Sequence, residues 1–197
     1  MRREEEAIRL FIAIDFDDAV KGVLRRAQTR LLARASGIPA ACGNLHLTLV
    51  FLGEVPPERV GVIETVMDGI QAPPLSLTLG KMGFFRQDGG FLWWMGVEDG
   101  LREPGTAEAG RGGTLQALHT ELYTGLAPTF PLESRRFVPH VTLARQVRPA
   151  PDFDAAALAR EAERCSFRED SIVLLHSQRL GGRLTYAPLF RKQLERG

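Results

Sequence analysis

Two tetrapeptides carry residue types suited to acid–base chemistry, His46-Leu47-Thr48-Leu49 and His140-Val141-Thr142-Leu143. The chain has 4 histidines, so this one repeated pattern holds half of them. Each tetrapeptide opens an apolar run with strand character, and alternate side chains of a strand share a face. His46 and Thr48 therefore point one way, Leu47 and Leu49 the other. His140 and Thr142 stand in the same relation to Val141 and Leu143. A lone His-x-Thr occurs often by chance and is usually an ordinary polar pair. Two copies half a chain apart are harder to dismiss. They predict two strands that face each other across a cleft and present a pair of imidazoles to one phosphate.

A phosphodiester ring closed on neighbouring ribose oxygens is the substrate such a pair suits. Opening it with water takes a base for the water proton, an acid for the departing sugar oxygen, and donors for the charge gathering on phosphorus. Imidazole titrates near ~6.5, so one ring can be neutral while the other is charged. The Thr48 and Thr142 hydroxyls can bond non-bridging oxygens without adding charge. No metal or other cofactor enters this scheme. Metal sites want clustered His, Cys or carboxylate ligands, and neither motif supplies a second close one.

The elements that must position the motifs can be read from the spacing of apolar residues. Arg9–Phe16 predicts a central strand. Asp17-Asp18 predicts a helix start near the positive end of the dipole, with the helix running to about Ala35 and stopped at Gly37-Ile38-Pro39. The first motif strand runs from Leu45 to Leu52. Pro57 fits the first turn of a second, amphipathic helix carrying Val60, Ile63, Val66, Met67 and Ile70. Leu75, Leu77 and Leu79 alternate as a half-buried strand, Gln87-Asp88-Gly89-Gly90 predicts a hairpin turn, and Phe91–Val97 returns. Residues 99–113, rich in glycine and charge, predict a flexible loop. A helix follows from Thr114, and then the second motif strand, His140 to Ala144. Asp152 or Asp154 can cap another helix reaching Arg164. Strands at Ser171–Ser177 and Leu184–Leu194 close the chain.

The stretches HLTLVFLGEV (46–55) and HVTLARQV (140–147) align, which suggests an internal duplication. The expected architecture is α+β: one domain over residues 1–197, of two pseudo-symmetric lobes of mainly antiparallel sheet, with outer helices and the site in the cleft between them. A net charge of +1 argues against a broad nucleic-acid-coating surface but leaves room for a local phosphate pocket. The 2 cysteines are too few for a disulfide framework. No apolar run approaches the roughly 20 residues that span a membrane, and no signal peptide is evident. The expectation is a cytoplasmic monomer without a membrane partner.

Four stretches in the same order resemble the 2H phosphoesterase superfamily and, more narrowly, the bacterial and archaeal RNA 2′,3′-cyclic phosphodiesterases, also called 2′-5′ RNA ligases. They are Arg9-Leu10-Phe11-Ile12-Ala13-Ile14-Asp15, Asn44–Val55, Phe137–Arg145, and Leu174-Leu175-His176-Ser177-Gln178. The resemblance implies hydrolysis of a 2′,3′-cyclic phosphate at an RNA end to a 2′-phosphomonoester. It implies that His46 protonates the leaving 3′ oxygen and His140 activates water, a polarity the near-symmetric motifs do not give by themselves. It also implies a 2′-5′ joining side activity on tRNA fragments. Residues 37–44, before the first motif, depart from the family's usual Pro-Glu-Asn lead, and segment 99–113 is longer than the usual family loop.

Further residues weigh function against plain structure. The resemblance puts Arg145 in the phosphate region. Its parity differs from that of His140 and Thr142, so it reaches the site only at a strand end or bulge, and otherwise is a solvated charge. Arg136, with Arg135, could meet the RNA backbone, although single exposed arginines are common. Phe51 could stack a base or pack; Phe11 is read as core. One of Trp93 and Trp94 is expected in the core and the other along the groove. His119 is read as a surface residue and His176 as a packed, hydrogen-bonded one. Alternatives to RNA-end hydrolysis are a phosphodiesterase for small cyclic nucleotides or 2′-5′ oligonucleotides, and a non-catalytic RNA-end binder.

Overall fold

The computed structural model describes residues 6–100 and 114–195. Most of the predicted loop 99–113 lies outside the described residues. The strands are β1 (Ile8–Asp15), β2 (Ala35–Pro39), β3 (His46–Val55), β4 (Leu75–Gln87), β5 (Gly90–Asp99), β6 (His140–Pro149), β7 (Cys165–Glu169), β8 (Ser171–Leu180) and β9 (Arg183–Gln193). The helices are α1 (Asp18–Leu32), α2 (Val60–Asp68), α3 (Thr114–Leu126) and α4 (Ala155–Arg160). Local signals explain their ends. The Asp17 carboxylate caps α1 by accepting the Val20 N–H at 2.8 Å. Asp154 caps α4 through the N–H groups of Ala156 and Ala157. Val20, Val23, Leu24, Ala27 and Leu31 form the buried stripe of α1.

Among the described residues the strands form a single antiparallel sheet in the order β7-β4-β5-β6-β3-β1-β8-β9, with β2 alongside β6. The middle of that order is the junction of two half-sheets. There β3 and β6 meet at Leu47↔Val141 and then diverge. β2 fills the wedge, pairing with β6 from Ala144 to Pro149. The strand order and connections are pseudo-twofold about Leu47↔Val141, with β1-α1-β3-α2-β4 corresponding to β5-α3-β6-α4-β8. The third strand of each repeat crosses over: β4 pairs with β5, and β8 pairs with β1. The first helix of each repeat crosses as well, α1 packing on β6 and α3 on β3. The fold is α+β as expected, and each half-sheet borrows one strand, β4 or β8, from the other repeat.

Several local expectations are corrected. The motif strands lie side by side in one sheet and do not face each other across a gap, because they hydrogen-bond at the junction. Residues 35–39, read as the end of the first helix and its stop at Gly37-Ile38-Pro39, form β2, whose mostly exposed residues carry no apolar alternation to betray a strand. The helix capped by Asp154 stops at Arg160, and β7 follows on the sheet edge beside β4. β3 continues through Gly53 to Val55, and β6 through to Pro149.

One layer of helices covers one face of the sheet. Leu47, Leu49, Val141 and Leu143 are buried on that face with Leu10, Ile12 and Ile14. A small separate cluster, Phe11, Ala13, Val173 and Leu175 with Tyr186 against it, lies on the opposite face. That face also carries His46, Thr48, His140 and Thr142, all partly exposed.

Leu47 anchors the junction from the buried side. Leu47→Ala is expected to cost about 2–5 kcal/mol, in the range of large-to-small core changes. Urea denaturation followed by circular dichroism measures it, and a loss below ~1 kcal/mol would show that the junction does not rest on this packing.

Candidate active site

The junction sets the geometry of the two motifs. Because Leu47 lies opposite Val141, the flanking positions place His46 across from Thr142 and Thr48 across from His140. The two histidines are then diagonal neighbours on one face, a relation that puts backbones about 7–8 Å apart in an antiparallel pair. Both rings are oriented by the same device. The Nδ1–H of His46 donates to the Asn44 carbonyl at 2.8 Å, and that of His140 donates to the Val138 carbonyl at 2.6 Å. A carbonyl can only accept, so Nδ1 carries the proton in each ring and the neutral form has its lone pair on Nε2. His46 Nε2 accepts from the Thr48 hydroxyl at 3.0 Å.

Aromatic walls enclose each ring. The His46 ring lies 4.8 Å from Phe11 and 5.0 Å from Tyr186. The His140 ring lies 5.2 Å from Phe85 and 6.0 Å from Trp94. Trp94 itself lies over Gly83, where a Cβ would overlap the indole. Trp93, on the other face, is core.

A paired irregularity brings in the residues beyond each motif. In β3, Ala13 pairs with Thr48 and Ile12 with Val50, so Leu49 is an extra residue. In β6, Trp94 pairs with Thr142 and Trp93 with Ala144, so Leu143 is extra in the same way. Each is a one-residue bulge, which reverses the alternation that follows it. Leu49 and Val50 are buried in succession and Phe51 turns out; Leu143 and Ala144 are buried in succession and Arg145 turns out. Phe51 and Arg145 therefore share a face with the histidines and occupy equivalent places. The bulged carbonyls are not left bare. Leu143 O accepts from the Ala40 N–H (2.9 Å) and the Gln28 Nε2 (2.8 Å), and Leu49 O accepts from the His119 Nδ1–H (2.9 Å).

Burial dominates the electrostatics of both rings. It lowers His46 to about 4, against opposing contributions from the Asn44 carbonyl and the Asp15 carboxylate. Arg145 and His140 push His46 further down. His140 is also lowered, first by burial and then by Arg145 and Arg135, against the Val138 carbonyl. The two sides differ by one anion. Asp15, across from His46 in β1 and bonded to Lys21 at 2.7 Å, favours imidazolium there. The charged side chains acting on His140 are both cations.

The sequence-predicted residues His46, Thr48, His140, Thr142, Arg145 and Phe51 thus gather on one face of the junction. Arg136 is exposed, and Arg135, ion-paired with Glu133, is the one whose charge reaches His140. Phe51 is 36% exposed under the Arg9 guanidinium. Phe11 is buried as expected, yet against His46 and not in the main core. His119 is not a surface residue: it is half-buried and stacked on Phe137 at 4.1 Å. His176 is half-buried opposite Leu10, and its side chain has no hydrogen-bond partner among the described residues. Asp15, Tyr186, Phe85 and Gln28 escaped the sequence reading. Asp15 ends an apolar strand run beside a helix start, and that position was its one available signal. Among the described residues no three His, Cys, Asp or Glu side chains cluster as metal ligands, and no helix is long and apolar enough to cross a membrane.

A family model for the 2′-5′ RNA ligase superfamily matches residues 16–181. The chain is 28% identical over 192 residues to an RNA 2′,3′-cyclic phosphodiesterase of Escherichia coli, covering 94% of this chain and 96% of that protein. It is 32% identical over 149 residues to one of Thermotoga maritima, covering 74% and 73%. The crystal structure of E. coli LigT complexed with 3′-AMP superposes with a TM-score of 0.74 at 28% identity, over 96% of this chain and 99% of that one.

Imidazole ¹⁵N NMR of the ligand-free protein is expected to show both rings neutral at pH 7 with the proton on Nδ1. His46 should gain its second proton near pH 4. The folded value lies below the unfolded ~6.5, so the unfolded chain binds more protons between the two. Stability should therefore fall as pH drops from ~6.5 toward ~4, and His46→Gln should flatten that slope. A His46 titrating at its ordinary value would refute the enclosure described here.

Proposed function

The chain belongs to the 2′-5′ RNA ligase superfamily, and from that premise we propose that it hydrolyses the 2′,3′-cyclic phosphate of an RNA end to a 2′-phosphomonoester. The observation that carries the reading is the pair of Nδ1-pinned imidazoles on one face of the Leu47↔Val141 junction. Their Nε2 atoms, that of His46 accepting from the Thr48 hydroxyl in the empty site, are the ones that can exchange protons with a group bound there.

In this reading His140 Nε2 takes a proton from water, whose oxygen attacks phosphorus. The bond from phosphorus to the 3′ oxygen breaks, and that oxygen receives a proton from His46 Nε2. The 2′ ester bond remains. The asymmetry of charge supports this polarity. The cations Arg145 and Arg135 favour the neutral form of His140, the form that can accept a proton, whereas Asp15 favours a proton on His46 against Arg145 and His140. In the empty site burial outweighs Asp15. A bound phosphate anion opposes that penalty and raises both rings. The Thr48 and Thr142 hydroxyls donate to the non-bridging oxygens, and Arg145 supplies the fixed positive charge that offsets the pentacovalent phosphorus. Phe51, with Arg9 above it, offers a stacking face to the neighbouring base. Arg136 lies on the exposed approach to β6 and meets the RNA backbone.

The same site run in the joining direction would give a 2′-5′ linkage, which we read as a side activity on tRNA fragments. A second reading is a small cyclic nucleotide as substrate. It is supported by the relative that holds 3′-AMP, a mononucleotide.

The decisive assay uses a short RNA ending in a 2′,3′-cyclic phosphate, with EDTA present. Product analysis should find the 2′-phosphate and no loss of rate to the chelator. His46→Ala and His140→Ala should each lower kcat by about 10²–10⁴-fold while the fold persists. Thr48→Ala and Thr142→Ala should cost about 10²–10³-fold. Full activity in His140→Ala, or a 3′-phosphate product, would overturn the assignment.

The pH profile should be bell-shaped. Both rings of the free protein lie below their ordinary ~6.5, so kcat/KM should peak on the acidic side of that value. The kcat profile should lie at higher pH, since the bound anion raises both rings. Superimposable profiles for kcat and kcat/KM would count against a phosphate seated between the rings.

A further inference from the structure

The two bulges pose an accounting problem, and a helix side chain enters the solution both times. An extra residue in a strand has no ladder partner for its backbone, and a buried carbonyl demands a donor from elsewhere. At Leu143 the donors are the Ala40 N–H and, as the side-chain donor, the amide of Gln28, from the first helix of the first repeat. At Leu49 the donor is the ring of His119, from the first helix of the second repeat. The pseudo-twofold correspondence that exchanges the motif strands exchanges these helices too. Neither contact follows from the chemistry proposed for the histidines, and both are made from the helix side of the sheet.

Each donor suits its position. The Gln28 amide is buried and uses both hydrogens, one on Leu143 O at 2.8 Å and one on Ala40 O at 2.9 Å. It therefore ties the end of β2 to the bulge in β6. His119 Nδ1 faces a carbonyl and must carry a proton, while the ring is stacked nearly parallel on Phe137, at 7°. The consequence on the other face is equal in both halves. The bulge reverses the alternation, so Arg145 and Phe51 turn toward the histidines and not into the core.

We propose that Gln28 and His119 are positioning residues, which hold the bulges at Leu143 and Leu49 and thereby aim Arg145 and Phe51 at the reaction face. The proposal rests on the function proposed above only for what Arg145 and Phe51 then do.

The test separates hydrogen bond from packing and geometry from activity. Asn places an amide nitrogen where His119 has Nδ1 but removes the ring. Phe keeps the ring stack and removes the donor. His119→Asn should hold kcat/KM on the cyclic-phosphate RNA within ~3-fold, and His119→Phe should lose at least ~10-fold. A purely packing role predicts the reverse order, and that order would overturn the proposal. Gln28→Met keeps the length and removes the donors. It should lower kcat/KM about 10-fold in the native background but less than ~2-fold in an Arg145→Ala background, because it acts through that arginine. Equal losses in both backgrounds would mean a general structural role and refute the claim for Gln28.

Amide hydrogen exchange gives the readout that does not depend on turnover. Exchange at Ala144 and Arg145 should quicken at least ~10-fold in Gln28→Met, and at Val50 and Phe51 in His119→Phe but not in His119→Asn. Unchanged exchange in both donor-less variants sinks the proposal even if the RNA is a substrate. Quickened exchange in a protein that does not turn over the RNA leaves the latch standing and removes the functional reading. Should His119→Phe fail to fold, the Gln28 comparison decides alone.

Discussion

The structure depends on how two strands meet. β3 and β6 are joined at Leu47↔Val141 and then separate, so the half-sheets touch at the motifs and nowhere else along these two strands. A contact that short needs support from both faces. On the helix side Leu47 and Val141 are fully buried in the main core. On the other side the same strand period leaves two His-x-Thr pairs with no core to enter. Antiparallel pairing about a local twofold then makes the histidines diagonal neighbours without any loop having to place them. The site is thus a by-product of the junction's own symmetry and is as rigid as the sheet. The crossover of the outer strands reinforces this. β4 and β8 each add to the half-sheet built on the other repeat's first strand. Neither sequence repeat can part from the other without breaking both ladders.

Much of this was legible in the alternation of residues. Parity alone put His46 and Thr48 on one face and Leu47 and Leu49 on the other, and burial follows that division. The helix stripes of α1 and α3 were equally plain, because Leu and Val spaced at 3.6 residues over three turns share a face in a helix and scatter over both faces of a strand. What parity could not show is where it fails. Arg145 has the wrong phase for the site in a regular strand and the right one after the bulge at Leu143. Bulges leave no composition signal in Leu-Val-Phe or Leu-Ala-Arg, since the residue that causes the shift is an ordinary leucine. The donors that satisfy the bulged carbonyls are just as silent. Gln28 looks like a polar interruption of a helix, and His119 like a surface residue beside Glu121.

The short edge strands were hidden for a different reason. β2 and β7 are mostly half-exposed or exposed, and each has one sheet neighbour in the pairing pattern. A strand that buries little needs little apolar alternation, so its sequence can resemble a linker. β2 nevertheless matters to the site. It occupies the wedge where β3 leaves β6, and Gln28 clips its end to the bulge that turns Arg145 outward.

A twofold scaffold presents two equivalent imidazoles, whereas ring opening at a phosphate needs an acid and a base that differ. The difference has to come from residues that break the symmetry, and it does so in three places. Asp15 stands across from His46, while Trp94, across from Thr142, occupies the matching place that Ala13 fills beside Thr48. Tyr186 and Phe11 close over His46, and Thr48 bonds its Nε2, while His140 has Phe85 and Trp94 at its sides. Arg145 follows one bulge and Phe51 the other, so the motif strand of His140 brings a positive charge where that of His46 brings a ring. At the two positions beyond the bulges, a guanidinium on one strand and a ring on the other also match the division a nucleotide presents, with its phosphate and its base. On the proposed reading, the departures from symmetry that distinguish the two protons are therefore the ones that orient the substrate between them.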